Sequence, residues 1–229
     1  MTQQPPPPPP GASPPPPPPP EGVTLEVGAA LTYGWNAWVQ NIGPMIGLAA
    51  IIVGVNIVIG LIGSGVDTLV GTILLQTISI VVGIVLAMGL IRASLAVTEG
   101  RTPSVAMFLE TDGFWSYLVA SIIVGIGIVA GLILLIVPGI ILAVMWQFFG
   151  YAIVDRPGTR AIEAMGRSAD ITRGNRWQLF GLVLVLLLIN ILGALLCGVG
   201  LIATYGITVL TIAYAYRLLS GQPIASLGR

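Results

Sequence analysis

The uncharged stretch from Tyr117 to Val154 constrains the fold most, because none of its 38 residues carries a charge. As a single helix rising 1.5 Å per residue it would be about 57 Å long, nearly twice the roughly 30 Å of a bilayer's hydrocarbon core. The chain must therefore reverse direction inside the stretch, and Pro138-Gly139 is its helix-breaking pair. We predict a membrane hairpin with one span up to Val137, a turn at Pro138-Gly139 and a second span from Ile140 to Val154.

The composition extends this prediction to the rest of the chain. Hydrophobic residues make up 55% of the 229 residues and charged residues only 8%, whereas soluble domains carry about 25% charged residues. Four further apolar runs are long enough to cross a bilayer: Pro44–Ile62, Leu69–Ile91, Gln178–Leu196 and Leu201–Leu219. The sequence therefore predicts an all-α, polytopic membrane bundle of six transmembrane helices.

The residue types limit the chemistry. All nine basic residues are arginine and balance nine acidic residues, so there is no electrostatic basis for binding nucleic acid. The chain has no histidine and one cysteine, Cys197, which argues against a disulfide or a nitrogen and sulfur metal site. A general base would have to be a carboxylate or a tyrosine. Because no phosphate loop or nucleophile elbow occurs either, we expect no enzymatic activity and no cofactor.

The arginines predict how the chain is threaded. They fall in the segments 92–101, 156–176 and 217–229, whereas the turns near Gly63, Pro138 and Gly198 carry none. Basic residues are retained on the cytoplasmic side of a membrane. We therefore expect a multi-pass protein of the cytoplasmic (inner) cell membrane, with the N- and C-termini in the cytoplasm.

Three regions follow from the composition along the chain. Residues 1–22 hold the proline runs Pro5–Pro10 and Pro14–Pro20, which favour polyproline II and cannot form a core, so we expect a disordered cytoplasmic tail. That tail is either a docking peptide for a partner or a solubilising tether. Residues 23–221 form the membrane domain, which begins with an amphipathic helix over residues 24–41, and residues 222–229 form a short cytoplasmic tail.

An internal repeat is indicated by three Thr-x-Gly motifs beside tryptophan, at Thr32–Trp35, Thr111–Trp115 and Thr172–Trp177. The glycine of each motif precedes its hairpin turn by 29, 26 and 26 residues, respectively. We predict three repeated helical hairpins, each preceded by a cytoplasmic interfacial helix.

Two sets of polar residues are candidate sites. The intramembrane amides are Asn56, Gln76, Gln147 and Asn190, which either join helices or contact a ligand. From Thr159 to Thr172, the charges of Arg160, Glu163, Arg167 and Asp170 form one predicted helix face, and Ile162, Met165 and Ala169 form the opposite one. Arg160, Arg167, Arg173 and Arg176 are the candidate surface for lipid headgroups or a protein partner, although they can equally serve only to set the topology.

A third group is the set of carboxylates in the segment between the second and third spans. Glu99, Glu110 and Asp112 could pair for acid–base chemistry, but their segment is polar and loop-like, so solvated charges are the expected role.

Several motifs resemble those of a group of bacterial six-helix membrane proteins. They are Pro138-Gly139-Ile140, Ser168-x-x-Ile171-Thr172-Arg173-Gly174-Asn175, Cys197-Gly198-x-Gly200 and Ala213-Tyr214-Ala215-Tyr216-Arg217 with Gly221. The resemblance covers about residues 24–222. The same kind of domain is similar to the membrane part attached to some glycerophosphodiester phosphodiesterases. Because this chain has no such catalytic domain, that activity is not implied. The proline-rich head and the all-arginine basic set resemble membrane proteins of high-GC actinobacteria.

Two functions remain open. The absence of charged residues from the span interiors favours an accessory or scaffold protein, whose expected contacts are membrane lipids, a protein partner at the tail or cytoplasmic helices, and a second copy of the chain. The alternative is a transporter or flippase-like carrier of a lipophilic or lipid-like molecule, which would use the intramembrane amides.

Overall fold

The computed structural model of the protein describes residues 23–196 and 199–227. Within them the chain forms nine α-helices: α1 (Val27–Gln40), α2 (Ile42–Gly63), α3 (Leu69–Thr98), α4 (Phe114–Leu134), α5 (Ile136–Trp146), α6 (Phe149–Asp155), α7 (Ala161–Ile171), α8 (Arg176–Leu195) and α9 (Val199–Leu219). A short 3-10 helix, Val105–Phe108, lies between α3 and α4, and these described ranges contain no β-strand. The proline-rich tail, Cys197 with Gly198, and the last two residues lie outside the described part of the chain.

Six helical segments are long and apolar enough to cross a membrane: Ile42–Gly63, Leu69–Thr98, Phe114–Leu134, Ile136–Asp155, Arg176–Leu195 and Gly200–Leu219. The fourth combines α5 and α6. The all-α class and the six predicted apolar spans are thus confirmed, and their length and composition indicate a membrane protein.

Helix α9 is the centre of the bundle, because it packs against α1, α2, α3 and α8. The approach of α1 is close. A methyl group added to Gly34 would lie 2.0 Å from the Thr211 hydroxyl oxygen. The buried face of α1 is therefore formed by small residues and one indole: Ala30, Gly34, Ala37 and Trp38. Trp35 lies outside this face and is exposed.

Helix α3 is longer than predicted. The predicted span ends near Ile91, but the helix continues to Thr98, because α6, α9 and the 3-10 helix cover its last turns. Gly100, at φ 77°, ends it. The Gly100 amide donates to the Val97 carbonyl at 3.0 Å and the Arg101 amide to the Ala96 carbonyl at 2.8 Å, which is a Schellman motif.

The start of α3 has a side-chain cap. The cap is Thr68, whose hydroxyl accepts a hydrogen bond from the Gly71 amide at 3.1 Å.

The reversal between the third and fourth spans lies at Leu135, so the predicted turn at Pro138-Gly139 is wrong by three residues. Leu135 has extended backbone, with φ −159° and ψ 133°. Pro138 lies in the first turn of α5, where the absent amide hydrogen costs little. Gly139 allows the two helices to touch, since a methyl group added there would lie 2.7 Å from the Leu132 amide nitrogen. The last two spans meet in a similar way, where an added methyl on Gly200 would lie 2.6 Å from the Gly193 carbonyl oxygen.

Candidate functional site at the charged end of the bundle

Most of the charged side chains that the structure describes gather at one end of the bundle, here called the charged end. A cavity of about 240 Å³ opens there. Its charged lining residues are Arg92, Glu99, Arg101, Glu110, Asp112 and Asp155, and its apolar ones include Leu95, Met107 and Val154. The cavity brings together ends of the second and fourth spans with the segment that joins α3 to α4.

Arg92 of α3 holds that joining segment in place. Its guanidinium donates to the Glu110 carbonyl oxygen and to the Asp112 carbonyl oxygen, the latter at 2.9 Å. Its Nε also lies 3.4 Å from the Glu110 carboxylate. The side chain is only 10% exposed, so Arg92 positions the backbone that leads into α4 and is not free to bind a solute.

Arg217 of α9 is the most deeply buried charge at this end, at 4% exposure. Its guanidinium contacts the Glu99 carboxylate and donates to the Pro223 carbonyl at 3.3 Å. Glu99 also pairs with Arg101. Because a buried charge without a partner is costly, this pair ties α9 to the end of α3.

Asp155, at the end of α6, has three polar partners. The Tyr216 hydroxyl donates to its Oδ2 at 2.8 Å, the Gln222 amide donates to the same atom at 2.7 Å, and Arg167 lies 3.9 Å away. The carboxylate therefore joins α6, α7, α9 and the C-terminal segment. A group held by three partners is placed for structure more than for proton transfer.

Tyr33, which lies near Arg217, is not a general base near neutral pH. Tyr33 of α1 stacks on Tyr214 with ring centroids 4.6 Å apart. Burial raises the pKa of Tyr33 to about 12, an increase that nearby Arg217 partly opposes. The phenol therefore stays protonated.

Three buried polar residues lie at the end of α7 and before α8: Ser168, Thr172 and Asn175. The Ser168 hydroxyl donates to the Met145 carbonyl at 2.8 Å and accepts from the Phe148 amide at 3.1 Å, so it closes the gap between α5 and α6. Thr172 is fully buried and bonds within its own turn.

The third of these residues, Asn175, binds the start of the described chain. Its amide donates to the Val23 carbonyl and its Oδ1 accepts from the Leu25 amide, both at 2.9 Å. The sequence prediction missed the roles of Ser168, Thr172 and Asn175. Thr172 follows α7 directly and Asn175 lies beyond Gly174, outside the helix, so helical spacing does not relate the three residues and no local signal identifies their partners.

The predicted arginine surface is only partly a surface. Arg160, Arg173 and Arg176 are exposed, and Arg173 pairs with Asp170 at 3.0 Å. Arg167 was predicted on the same exposed face, but its side chain is 14% exposed and faces Asp155. Ile162 was predicted on the buried face and is exposed, because Ala161, Ala164, Met165 and Ser168 form that face. The small residues let α7 lie close to α6.

The four predicted amides occupy different environments. Asn56 and Gln76 are exposed on the outer faces of α2 and α3, and Asn56 bonds the Ile52 carbonyl of its own helix. Asn190 donates to the Thr208 hydroxyl of α9 at 2.7 Å. Gln147 lies at the gap between α5 and α6, where both its amide atoms are buried and find no hydrogen-bond partner among the described residues. The four amides are therefore not gathered into one site.

In residues 23–196 and 199–227, no three histidine, cysteine or acidic side chains stand where they could hold a metal ion.

Of the three repeat glycines, Gly113 and Gly174 precede α4 and α8 with φ of 84° and 86°. Gly34 instead lies inside α1, so the first motif does not share the backbone of the other two.

Comparison with known proteins places the chain in a family. No curated protein and no solved structure matches it. The family described as "Domain of unknown function (DUF7847)" matches residues 39–215, which include all of α2 to α8 and most of α9. The chain therefore belongs to the DUF7847 family.

Proposed function

We propose that the protein is a non-enzymatic accessory or scaffold protein of the cytoplasmic membrane. The observation that carries this proposal is the internal pairing at the charged end: Arg217 with Glu99, Arg92 with the carbonyls of Glu110 and Asp112, and Asp155 with Tyr216 and Gln222. Side chains that are already bonded to other helices are not available to act on a substrate. These pairs join the helices at the charged end and leave the outer surfaces of the helices available to a partner.

The threading in this proposal puts the charged end in the cytoplasm. Val23 and Leu25 are held by Asn175, and the Ala225 amide donates to the Thr98 carbonyl at 2.8 Å. Both ends of the described chain therefore lie near the arginine-bearing segments. Basic residues favour the cytoplasmic side, so both termini and the proline-rich tail would face the cytoplasm.

The three-hairpin repeat is part of the same proposal. It is supported by the close glycine contacts beside the second and third reversals, Gly131 with Gly139 and Gly193 with Gly200. It is also supported by the ends of α3 and α9. Gly221 closes α9 with the same pair of hydrogen bonds that Gly100 makes after α3. Similar turns and similar helix ends are what repeated hairpins would carry.

The surface that remains for a partner is the outer face of α7 with the tail. Arg160, Ile162, Glu163 and Asp170 are exposed there. Purification of the full chain in mild detergent tests this role. We expect a stoichiometric partner with the wild type, its loss with Arg160→Glu/Glu163→Arg, and its retention with the control Asp67→Asn between α2 and α3.

Two outcomes would contradict the scaffold proposal. One is the reproducible absence of any stoichiometric partner. The other is recovery of the same partner from both the α7 variant and a variant in which the prolines of the tail are replaced by serine.

A second candidate function, movement of a lipid-like molecule, is favoured by one observation. Gln147 interrupts the fourth span and its amide has no partner among the described residues, and broken helices with free polar groups occur in carriers. Reconstituted vesicles with a fluorescent phospholipid test this candidate. Gln147→Leu should abolish flipping and the exposed Gln76→Leu should not. Equal rates in wild type and both variants would remove it.

A further inference from the structure

An apolar groove lies between α5 and the first turns of α8, and it shares no lining residue with the charged cavity. Its volume is about 360 Å³. Val137, Ile140, Ile141 and Val144 line it from α5, and Trp177 and Phe180 line it from α8. Residues at this spacing share one helical face, which extends for about 10 Å along α5.

One cation stands at this groove. Arg176 is its single charged lining residue. The side chain is exposed, and no hydrogen bond or ion pair joins it to any residue in the described part of the chain. An unpaired guanidinium beside an apolar groove favours an occupant that carries a negative charge at one end.

The backbone beside Arg176 has the same preference. Arg176 is the first residue of α8, and no side chain caps that helix. The preceding residue, Asn175, cannot cap it because its amide is bound to Val23 and Leu25. The first amides of α8 and the guanidinium therefore present positive charge at one place.

Trp177 places this end of the groove at the depth of lipid headgroups. The indole is 84% exposed, and Trp35 and Trp115, which lie just before and at the start of other spans, are also exposed. Exposed tryptophans at the ends of spans are typical of the membrane interface. The groove thus runs from the headgroup layer toward the hydrocarbon.

We propose that this groove is a binding site for an anionic phospholipid, with its phosphate at Arg176 and an acyl chain along α5. The charge and the apolar lining occur in the order in which a lipid carries its phosphate and its chain. The proline runs of the N-terminal tail fit less well, because Pro5–Pro10 and Pro14–Pro20 carry no anionic group to match Arg176.

Photocrosslinking of the full chain in phosphatidylcholine nanodiscs tests the proposal. Two probes carry the same photoreactive acyl chain, one on phosphatidylglycerol and one on phosphatidylcholine. We expect the anionic probe to label residues 137–144 and 177–180 about fivefold more than the neutral one, the effect of one arginine near a membrane surface. Arg176→Gln should abolish this excess. The matched control Arg160→Gln removes another exposed arginine that does not line the groove and should keep it.

A second variant makes the test independent of the arginine. Ile140→Trp fills the groove, so labelling of both segments should fall while labelling of α2 stays constant. Equal labelling by the two probes, loss of the excess in Arg160→Gln, or unchanged labelling in Ile140→Trp would overturn the proposal. Displacement of the anionic excess by inorganic phosphate alone, or crosslinks that place the tail or a second copy in the groove, would also overturn it.

Discussion

The Ser168 hydroxyl accepts a hydrogen bond from the Phe148 amide at 3.1 Å, across 20 residues of sequence. The same hydroxyl donates to the Met145 carbonyl, so one side chain of α7 satisfies backbone groups on both sides of the gap between α5 and α6. An interrupted helix leaves such groups unpaired, and their burial is costly. The membrane span and the amphipathic helix that follows it are therefore parts of one unit.

Replacing Ser168 with alanine should lower the free energy of unfolding by about 1–3 kcal/mol, because two buried backbone groups lose their partner. Thermal unfolding in mild detergent measures this. The control is Ser64→Ala, which removes a hydroxyl that bonds only within its own exposed turn. A loss as large in the control as in the Ser168 variant would contradict the clamp.

Removing the carboxylate of Glu99 should cost about 1–3 kcal/mol, because Arg217 is left buried without its anionic partner. Arg101 pairs with the same carboxylate, but its side chain is 63% exposed. Arg101→Gln should therefore cost less than about 1 kcal/mol. Chemical denaturation of Glu99→Gln and Arg101→Gln in detergent compares them, and equal effects would show that burial of Arg217 is not what matters.

Asn175→Ala should release the start of the described chain. The variant loses both hydrogen bonds that hold Val23 and Leu25, so amide hydrogen exchange over residues 23–27 should become at least tenfold faster. Asn36→Ala is the control, since Asn36 is exposed on α1. Unchanged exchange in the Asn175 variant would mean that packing of Leu25 alone holds the segment.

Gly139→Ala should destabilise the bundle by about 1–3 kcal/mol, because the new methyl would meet the Leu132 backbone and side chain. Gly125→Ala is the matched control in α4. No atom lies within 4 Å of the methyl it adds, and the higher helix propensity of alanine should leave stability equal or slightly improved. The melting temperatures of the two variants decide the comparison.

Alkaline pH should destabilise the protein in part through Tyr33. Its pKa is 10.0 when unfolded and about 12 in the fold, where burial is the main cause and Tyr214 and Arg217 are the facing groups. The unfolded chain therefore releases this proton first, so the stability contribution is complete below pH 10 and falls between about pH 10 and 12. Tyr33→Phe should show a smaller drop in melting temperature between pH 9 and pH 11.5 than the wild type, and an equal drop would contradict the assignment.

The spans could be predicted from the sequence and the polar partners could not. A run such as Leu69–Ile91 is long, predominantly apolar and free of charged residues, which favours a membrane-spanning helix, and α3 contains it entirely. That the same helix continues to Thr98 depends on α6 and α9 covering its last turns, which no local pattern records. Arg92 and Arg217 illustrate the same limit, because their positions at the ends of spans do not indicate which residues they bind. In the fold they bind Glu110 and Glu99.

Local sequence patterns also could not distinguish exposed polar residues from enclosed ones. Asn56 and Gln147 are the same kind of residue in the same kind of apolar run, yet Asn56 is exposed on α2 and Gln147 is enclosed at the gap in the fourth span. The face that a helix buries depends on which neighbour approaches it. The hydropathy of α2 and α3 is nearly uniform around the helix, so the sequence alone could not indicate that face.

The sequence by itself determined that this chain forms six apolar helices, because backbone amides in hydrocarbon must be hydrogen-bonded and a single apolar run of about 20 residues satisfies its own amides by forming a helix. It also determined which segments between them are charged. The tertiary structure decided that the chain reverses at Leu135 and not at Pro138. The reversal depends on the close contact of α4 with α5, which Gly131 and Gly139 permit. The tertiary structure decided as well that Asn175 meets Val23, 152 residues earlier in the chain. Such pairings depend on the packing of helices that are distant in sequence, whereas the spans depend only on the residues within them.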